Sequence, residues 1–360
     1  MSKTIDLKLI NDSRVQWIDI AKAIAIIGVA VTHVPWKNPN IDQMISIFCL
    51  PMFFVIAGFL FDYTKYQNDF KTFVKNSTKR LVFPGYITYA ILHPVSSINP
   101  IKAAIYAVGK PVSLLGIDRI AWGLWFFYCL FIVKMLLYGF VKFANKYKTS
   151  TFLNIVFLCV ISYMGTKIGR IIPLPWSTDI ALVTLYLAYI GYIIKEFKIL
   201  ENKKLILPIT IICLIIGYFD YHYGLLKMNN RGYGNFPLLT IHGGIALSIL
   251  MMYISKYITT LKSFTTYAKF LQYIGANSMV IMFAHLLITA FDNIHLLGCI
   301  CDILGALVLI EILNIIPFFR DCYQIKSITT FFPAINSLKE NCIELTKNIF
   351  TRFKTSSWKS

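Results

Sequence analysis

The chain reads as an all-α integral membrane protein, with about ten transmembrane helices in one bundle and both termini cytoplasmic. Three observations predict this. Hydrophobic residues make up 57% of the 360 and charged residues only 14%, where a soluble domain carries roughly 25% charged. Apolar runs recur at spanning length without the polar face that a water-exposed helix needs. The 35 Lys and Arg residues fall mostly in short connectors between those runs, and unequally on alternate connectors.

The runs lie at 17–34, 43–63, 84–109, 122–141, 151–168, 176–194, 204–219, 237–257, 267–291 and 297–319. Each is near the ~20 residues that cover ~30 Å of hydrocarbon at ~1.5 Å per residue. Pro94 and Pro100 interrupt the third, so residues 101–116 also suit a segment lying along the interface. The first run leads into His33-Val34-Pro35-Trp36 with no small-residue cleavage site, and so reads as an uncleaved span.

Ten spans place both termini on one side. With the N-terminus inside, inner segments collect Lys65, Lys71, Lys75, Lys79 and Arg80, then Lys142, Lys146 and Lys148, then Lys195, Lys198, Lys203 and Lys204. Outer connectors hold only Lys37, Lys102, Lys110, Arg119, Lys167, Arg170, Lys227 and Arg231. The positive-inside rule sets the orientation from this asymmetry. The same scatter argues against a nucleic-acid partner for the net charge of +18, because a binding groove would cluster its cations on one face. The 8 Cys are scattered, mostly inside apolar runs, without metal-ligand spacing or a disulfide framework. No metal site is expected, and no internal repeat is evident. The chain divides into a cytoplasmic N-terminus at 1–16, a transmembrane domain at 17–320 and a basic cytoplasmic tail at 321–360.

Ionisable groups inside a bilayer are costly, which makes each one a candidate for function. The first run holds Asp19, Lys22 and His33. At ~100° per residue Lys22 and His33 fall within about 20° of each other, and Asp19 within about 60° of Lys22, with His33 about 16 Å further along the axis. That stripe suits a watery cavity or the bundle interior. Interfacial snorkelling by Asp19 and Lys22, with His33 capping the helix, fits the same spacing. Lys134 and Glu311 are further intramembrane charges, able to pair with each other or with other groups. The segment Tyr218-Phe-Asp220-Tyr221-His222-Tyr223 and the stretch Asn229 to Asn235 combine aromatic faces with amides, which suits sugar binding and, for the aromatics, an interfacial belt. Trp122, Trp125 and Trp176 are assigned mainly to that belt.

Several motifs occur in a set order. Arg14-Val-Gln-Trp-Ile-Asp-Ile-Ala-Lys22 is followed by an apolar stretch ending in Thr32-His33, with ten residues between Lys22 and His33. Then come Pro51-Met-Phe-Phe-Val-Ile-Ala-Gly-Phe-Leu-Phe61, Lys79-Arg80-Leu-Val-Phe-Pro84-Gly-Tyr86, Trp122-Gly-Leu-Trp125, Leu174-Pro-Trp176-Ser-Thr-Asp179, Asn229-Asn-Arg231-Gly-Tyr-Gly234-Asn235, and Ile274-Gly-Ala-Asn277-Ser278 with His285. In this order they resemble the membrane-bound acyltransferase-3 family, and in particular its fucose-4-O-acetylase-like branch, over roughly residues 14–320. Ser77 stands where the family carries a second basic residue before Arg80, Cys49 where the branch usually has a histidine, and Ala57 where the family usually has a serine.

The resemblance implies an O-acetyltransferase of the bacterial cell (inner) membrane. Acetyl-CoA is its acyl donor, nothing is tightly bound as a cofactor, and its acceptor is a glycan, lipid-linked or at the cell surface. His33 then accepts the hydroxyl proton, Lys22 or Arg80 stabilises developing charge, Asp19 holds Lys22, and His285 is a second site residue. Arg80, Lys79 and Lys75 face the donor phosphates, unless they serve only as a positive-inside anchor. Asn229, Asn230, Arg231, Asn235 and Asp179 are the acceptor-side candidates. Three alternatives stand beside this reading: a transporter or flippase for a lipid-linked sugar, a membrane scaffold, and the same fold carrying another acyl group such as succinyl.

Overall fold

The computed structural model describes residues 15–33, 39–92, 125–172, 174–223, 226–288 and 295–333. Helices dominate it. In chain order they are α1 (Gln16–Thr32), α2 (Pro39–Phe59), the short α3 (Tyr63–Tyr66), α4 (Phe70–Ser77), a π-helical turn at Thr78–Val82, α5 (Phe83–Leu92), α6 (Trp125–Tyr147), α7 (Thr151–Ile171), α8 (Thr178–Glu196), α9 (Lys203–Tyr223), α10 (Pro237–Ile258), α11 (Thr265–Ala276), α12 (Ser278–Ile288), α13 (His295–Ile315), α14 (Pro317–Tyr323) and α15 (Ile328–Phe331). Among the described residues, five segments are long and apolar enough to cross a membrane: Trp125–Tyr147, Thr151–Ile171, Pro175–Glu196, Lys203–Tyr223 and Pro237–Ile258. Each overlaps one of the expected runs. Residues 101–116, where the third run was ambiguous, lie outside the described residues.

The surface confirms what solvent these helices suit. On α7, Phe152, Leu153, Val156, Phe157, Val160 and Met164 are all exposed, and so are Leu207, Ile211, Ile212, Leu214 and Ile215 on α9. A water-soluble protein does not leave contiguous apolar faces of this size uncovered. Facing lipid, they cost nothing.

At the centre, α1 packs against α2, α10, α11, α12 and α13, while α2 also lies against α8. Glycine sets how closely these helices approach. A Cβ at Gly275 of α11 would overlap the backbone carbonyl of Asp19 on α1, and one at Gly58 of α2 would overlap that of Ala188 on α8. Gly191 of α8 repeats the arrangement against Val55, so the α2–α8 contact is close from both sides. Small residues at crossings are the usual route to tight packing where the hydrophobic effect gives little drive between helices. We therefore expect Gly275→Leu to push α11 off α1, visible as loss of monodisperse protein on size-exclusion chromatography in detergent, while Gly139→Leu, where a Cβ meets nothing, leaves the profile unchanged.

Two features depart from the expected runs. Residues 267–291, read as one span, are divided at Asn277 between α11 and α12. The chain following the last run does not simply leave the bundle: α14 and α15 fold back on it, with Tyr323 bonded to Thr88 at 2.9 Å. Residues 334–360 of the expected tail lie outside the described residues.

Candidate active site

A cavity of about 600 Å³ opens at the end of the bundle where α1 begins. Its walls come from separate parts of the chain: Lys22 on α1, Phe53, Ile56 and Ala57 on α2, Asp62 and Lys65 just beyond it, Ser77 and Arg80, Phe126, Phe127 and Lys134 on α6, Lys195 on α8, Ser278, Met279 and Met282 on α12, and Gln324. Five of these are cations, and Asp62 is the single carboxylate among the described lining residues.

Local structure explains how Arg80 reaches this space. Pro84 has no N–H to return to the Arg80 carbonyl, and its ring would collide with it in a regular helix. The backbone widens into the π turn at Thr78–Val82, where the Phe83 N–H donates to the Thr78 carbonyl. Wide turns of this kind are frequent at functional sites. Asn76, Ser77, Arg80 and Leu81 line the cavity, whereas Lys75 and Lys79, four residues apart and so on a common helix face, do not; all three cations are exposed. Of the expected phosphate-binding trio, the structure brings only Arg80 to the site.

Lys134 lies half-buried on α6 with its ammonium 5.6 Å from the centre of the Phe73 ring. Lys195 donates to the Phe61 carbonyl at 3.1 Å. Neither these two nor Lys65 or Arg80 has a carboxylate within ion-pair distance among the described residues. Lys22 does: it pairs with the buried Asp19 at 3.3 Å, as the one-stripe reading of the first run expects. Asp62 accepts from the Thr64 hydroxyl at 2.7 Å and the Lys65 N–H at 3.2 Å. The Thr64 bond is the main cause holding this carboxyl below its ordinary range, so the group stays ionised.

His33 stands at the opposite end of α1, exposed, with Nδ1 3.0 Å from the Val29 carbonyl. A carbonyl only accepts, so Nδ1 carries the proton and Nε2 is the basic nitrogen of the neutral ring. The rise along α1 separates His33 from Lys22 by about 16 Å. Lys22 and His33 therefore stand toward opposite ends of one helix. His285 falls on α12, and its side chain lies outside the described residues.

On the far side of the fold, Asp179 and Arg231 form a buried, two-pronged ion pair, Nε to Oδ2 at 2.6 Å and Nη2 to Oδ1 at 3.2 Å. Asp179 also accepts the Leu174 N–H at 3.1 Å. Arg231 adopts a left-handed backbone (φ 57°), and Arg170 donates to the Gly234 carbonyl at 2.9 Å. The loop is closed further by Lys227 and Gly232, whose amides bond each other's carbonyls at 2.8 and 3.0 Å. Asp179 and Arg231 thus pin the loop, and Asn230 and Asn235 are exposed on it. The side chain of Asn229 lies outside the described residues. Removing one partner of such a pair strands the other charge and costs roughly 3–5 kcal/mol. Arg231→Ala is accordingly expected to lower thermal stability sharply, and the double variant Asp179→Asn/Arg231→Gln to recover part of the loss, checked by melting curves in detergent.

The aromatic segment at 218–223 is the helical end of α9, with Tyr218, Phe219 and Tyr223 exposed and Asp220 buried. Trp125 is buried against Phe126, not placed at a lipid-facing belt, and Trp176 packs on Tyr128 and Phe131.

A family model described as an acyltransferase domain, that of the acyltransferase-3 family, matches residues 15–296. The match begins with α1 and takes in every cavity-lining residue except Gln324. This chain belongs to the acyltransferase-3 family. No curated protein and no solved structure matches it at a significant level. Membership makes the protein an acyltransferase, and its apolar helices make it a membrane acyltransferase. Four of the five cavity cations have no carboxylate within ion-pair distance among the described residues. Lys65, Lys134 and Lys195 are not legible from sequence as residues lining one cavity. Lys65 and Lys195 read as positive-inside residues of connectors, and only the unbalanced charge of Lys134 within an apolar run marked it.

Proposed function

We propose that this acyltransferase moves an acetyl group from acetyl-CoA to a hydroxyl of a cell-surface or lipid-linked glycan, as a member of the fucose-4-O-acetylase-like branch in a bacterial inner membrane. One observation carries the donor side of the reading: Lys65, Arg80, Lys134 and Lys195 converge on one cavity that Asp62 alone among the described lining carboxylates offsets, with none of the four at ion-pair distance from a carboxylate among the described residues. Like charges gathered in a partly dry site repel one another, and a polyphosphate relieves that cost. About ten spans with both termini cytoplasmic would open this cavity to the cytoplasm, where acetyl-CoA is found, because α1 begins there.

The acceptor side rests on His33. Its Nε2 takes the proton as the sugar oxygen attacks the thioester carbonyl; the carbonyl carbon gains the C–O bond, the C–S bond breaks, and CoA leaves as the thiolate or thiol. For the thioester to reach His33, the uncharged arm of the donor must lie along α1, spanning much of the ~16 Å between Lys22 and His33. Lys22, held by Asp19, marks where phosphate ends and arm begins. Exposed Asn230 and Asn235, on the loop pinned by Asp179 and Arg231, offer the acceptor hydrogen bonds from a fixed frame.

The test is mass spectrometry of surface glycans from cells making the wild-type protein, His33→Ala at equal protein level, or none. The wild type adds one acetyl mass and the variant does not. An unchanged glycan in all three would sink the proposal, and a succinyl mass would reassign the acyl group.

A further inference from the structure

One wall of the cavity carries no charge, and the last part of the chain builds it. Ser278, Met279 and Met282 come from α12, and Gln324 from the turn after α14, where its backbone is left-handed (φ 53°). Every cation except Lys22 comes from residues 65–195. Phe127, another lining residue, packs on Phe283 with ring centres 4.5 Å apart, and Phe283 meets Tyr323 at 5.6 Å.

The segment that presents Gln324 is fastened from behind with unusual completeness. Asn277, which interrupts the expected span, donates through Nδ2 to the Lys326 carbonyl at 2.9 Å and the Tyr273 carbonyl at 3.0 Å. Its Oδ1 accepts the Lys326 N–H at 2.9 Å. Glu311 on α13 accepts the Tyr273 hydroxyl and the Ile328 N–H at 2.8 Å each on Oε1, and the Ser327 hydroxyl at 3.0 Å on Oε2. A buried polar network satisfied in this way specifies one position for the segment, and leaving part of it unsatisfied is costly. Holding a chain end against lipid-facing helices needs no such specificity.

We propose that Asn277 and Glu311 are positioning residues that hold Gln324 and the segment through Ile328 as the neutral wall of the cavity, against which the uncharged, amide-bearing arm of the acyl thioester lies. This rests on the reading of the cavity as the donor site. The amide of Gln324, the hydroxyl of Ser278 and the thioethers of Met279 and Met282 suit an arm made of amides and alkyl chain, as the opposite wall suits its phosphates.

The two walls separate in kinetics with acetyl-CoA and acetyl-pantetheine, which keeps the arm and lacks every phosphate. Glu311→Ala and Asn277→Ala are expected to raise KM for both donors about tenfold with kcat within about twofold, the size of one or two lost hydrogen bonds. Glu311→Gln retains an acceptor for Tyr273 and Ile328 and a donor for Ser327, so it behaves as wild type. Gln324→Gly, at an exposed and left-handed position where folding is not at stake, raises KM for both donors as well. Arg80→Ala raises KM for acetyl-CoA alone. Cys322, 4% exposed beside the segment, reports its position through maleimide labelling located by peptide mass spectrometry. It labels faster in Glu311→Ala and not in Glu311→Gln. The proposal is overturned if labelling rises while both KM values stay put, or if kcat alone falls. Failure of the donor reading looks different: the wild type itself then shows no saturable use of acetyl-CoA.

Discussion

Replacing Lys134 with Met raises KM for acetyl-CoA by about 10- to 100-fold, the 1.5–3 kcal/mol of one charge-assisted hydrogen bond. The same change raises the melting temperature of the ligand-free protein. Both effects have one cause. Lys134 shares a partly closed cavity with Lys22, Lys65, Arg80 and Lys195 against the single carboxylate of Asp62. Its ammonium lies over the face of Phe73, and a cation over a ring gains about 0.5–2 kcal/mol. Met keeps the length and apolar stem while removing one like charge from the group. A structural lysine would behave in the opposite sense, its loss lowering stability and leaving KM alone. Thermal shift with and without acetyl-CoA reads both quantities in one experiment, since saturating ligand at 100 times Kd adds about 2.7 kcal/mol. In Lys134→Met that ligand-dependent increment shrinks at any fixed acetyl-CoA concentration.

Replacing His33 with Ala lowers kcat by about 10²- to 10⁴-fold, the usual contribution of a positioned general base. KM for the donor stays near wild type, because His33 is not among the residues lining the cavity and stands at the other end of α1. The pair of variants is therefore expected to split cleanly: Lys134→Met changes KM and spares kcat at saturation, and His33→Ala does the reverse. Steady-state kinetics on purified protein with a glycan acceptor measures both. A common loss of kcat and KM in His33→Ala would mean that His33 acts by shaping the donor site, not by taking a proton.

Much of this arrangement is legible from sequence because hydropathy and helix phase are local. Helices long enough to span overlap the runs at 122–141, 151–168, 176–194, 204–219 and 237–257, and the stripe of Asp19, Lys22 and His33 follows from the α-helical period alone. Other features depend on partners distant in the chain. Asn277 divides an apolar run by bonding Lys326, 49 positions away. Glu311 turns from Lys134, one of its sequence-level partners, to Tyr273, Ser327 and Ile328. Lys195 looks like one of several connector lysines until α8 brings it beside Phe61. The cluster Lys75, Lys79 and Arg80 was too coarse a unit, because neighbours in a helix are ~100° apart and only one helix face can look into a cavity. Asp179 and Arg231 stood as separate acceptor-side candidates, 52 residues apart, and the fold makes them one buried pair.

The central claim is that the cationic cavity holds the acyl donor while His33 acts elsewhere on the same helix. Equilibrium binding of acetyl-CoA to the purified protein in lipid nanodiscs tests it most directly. The account predicts saturable binding to the wild type, equal binding to His33→Ala, and weakening of at least tenfold in Arg80→Gln/Lys134→Met, two charge-assisted contacts at ~1.4 kcal/mol per factor of ten. Equal affinity in all three proteins, or loss of binding in His33→Ala alone, would contradict it.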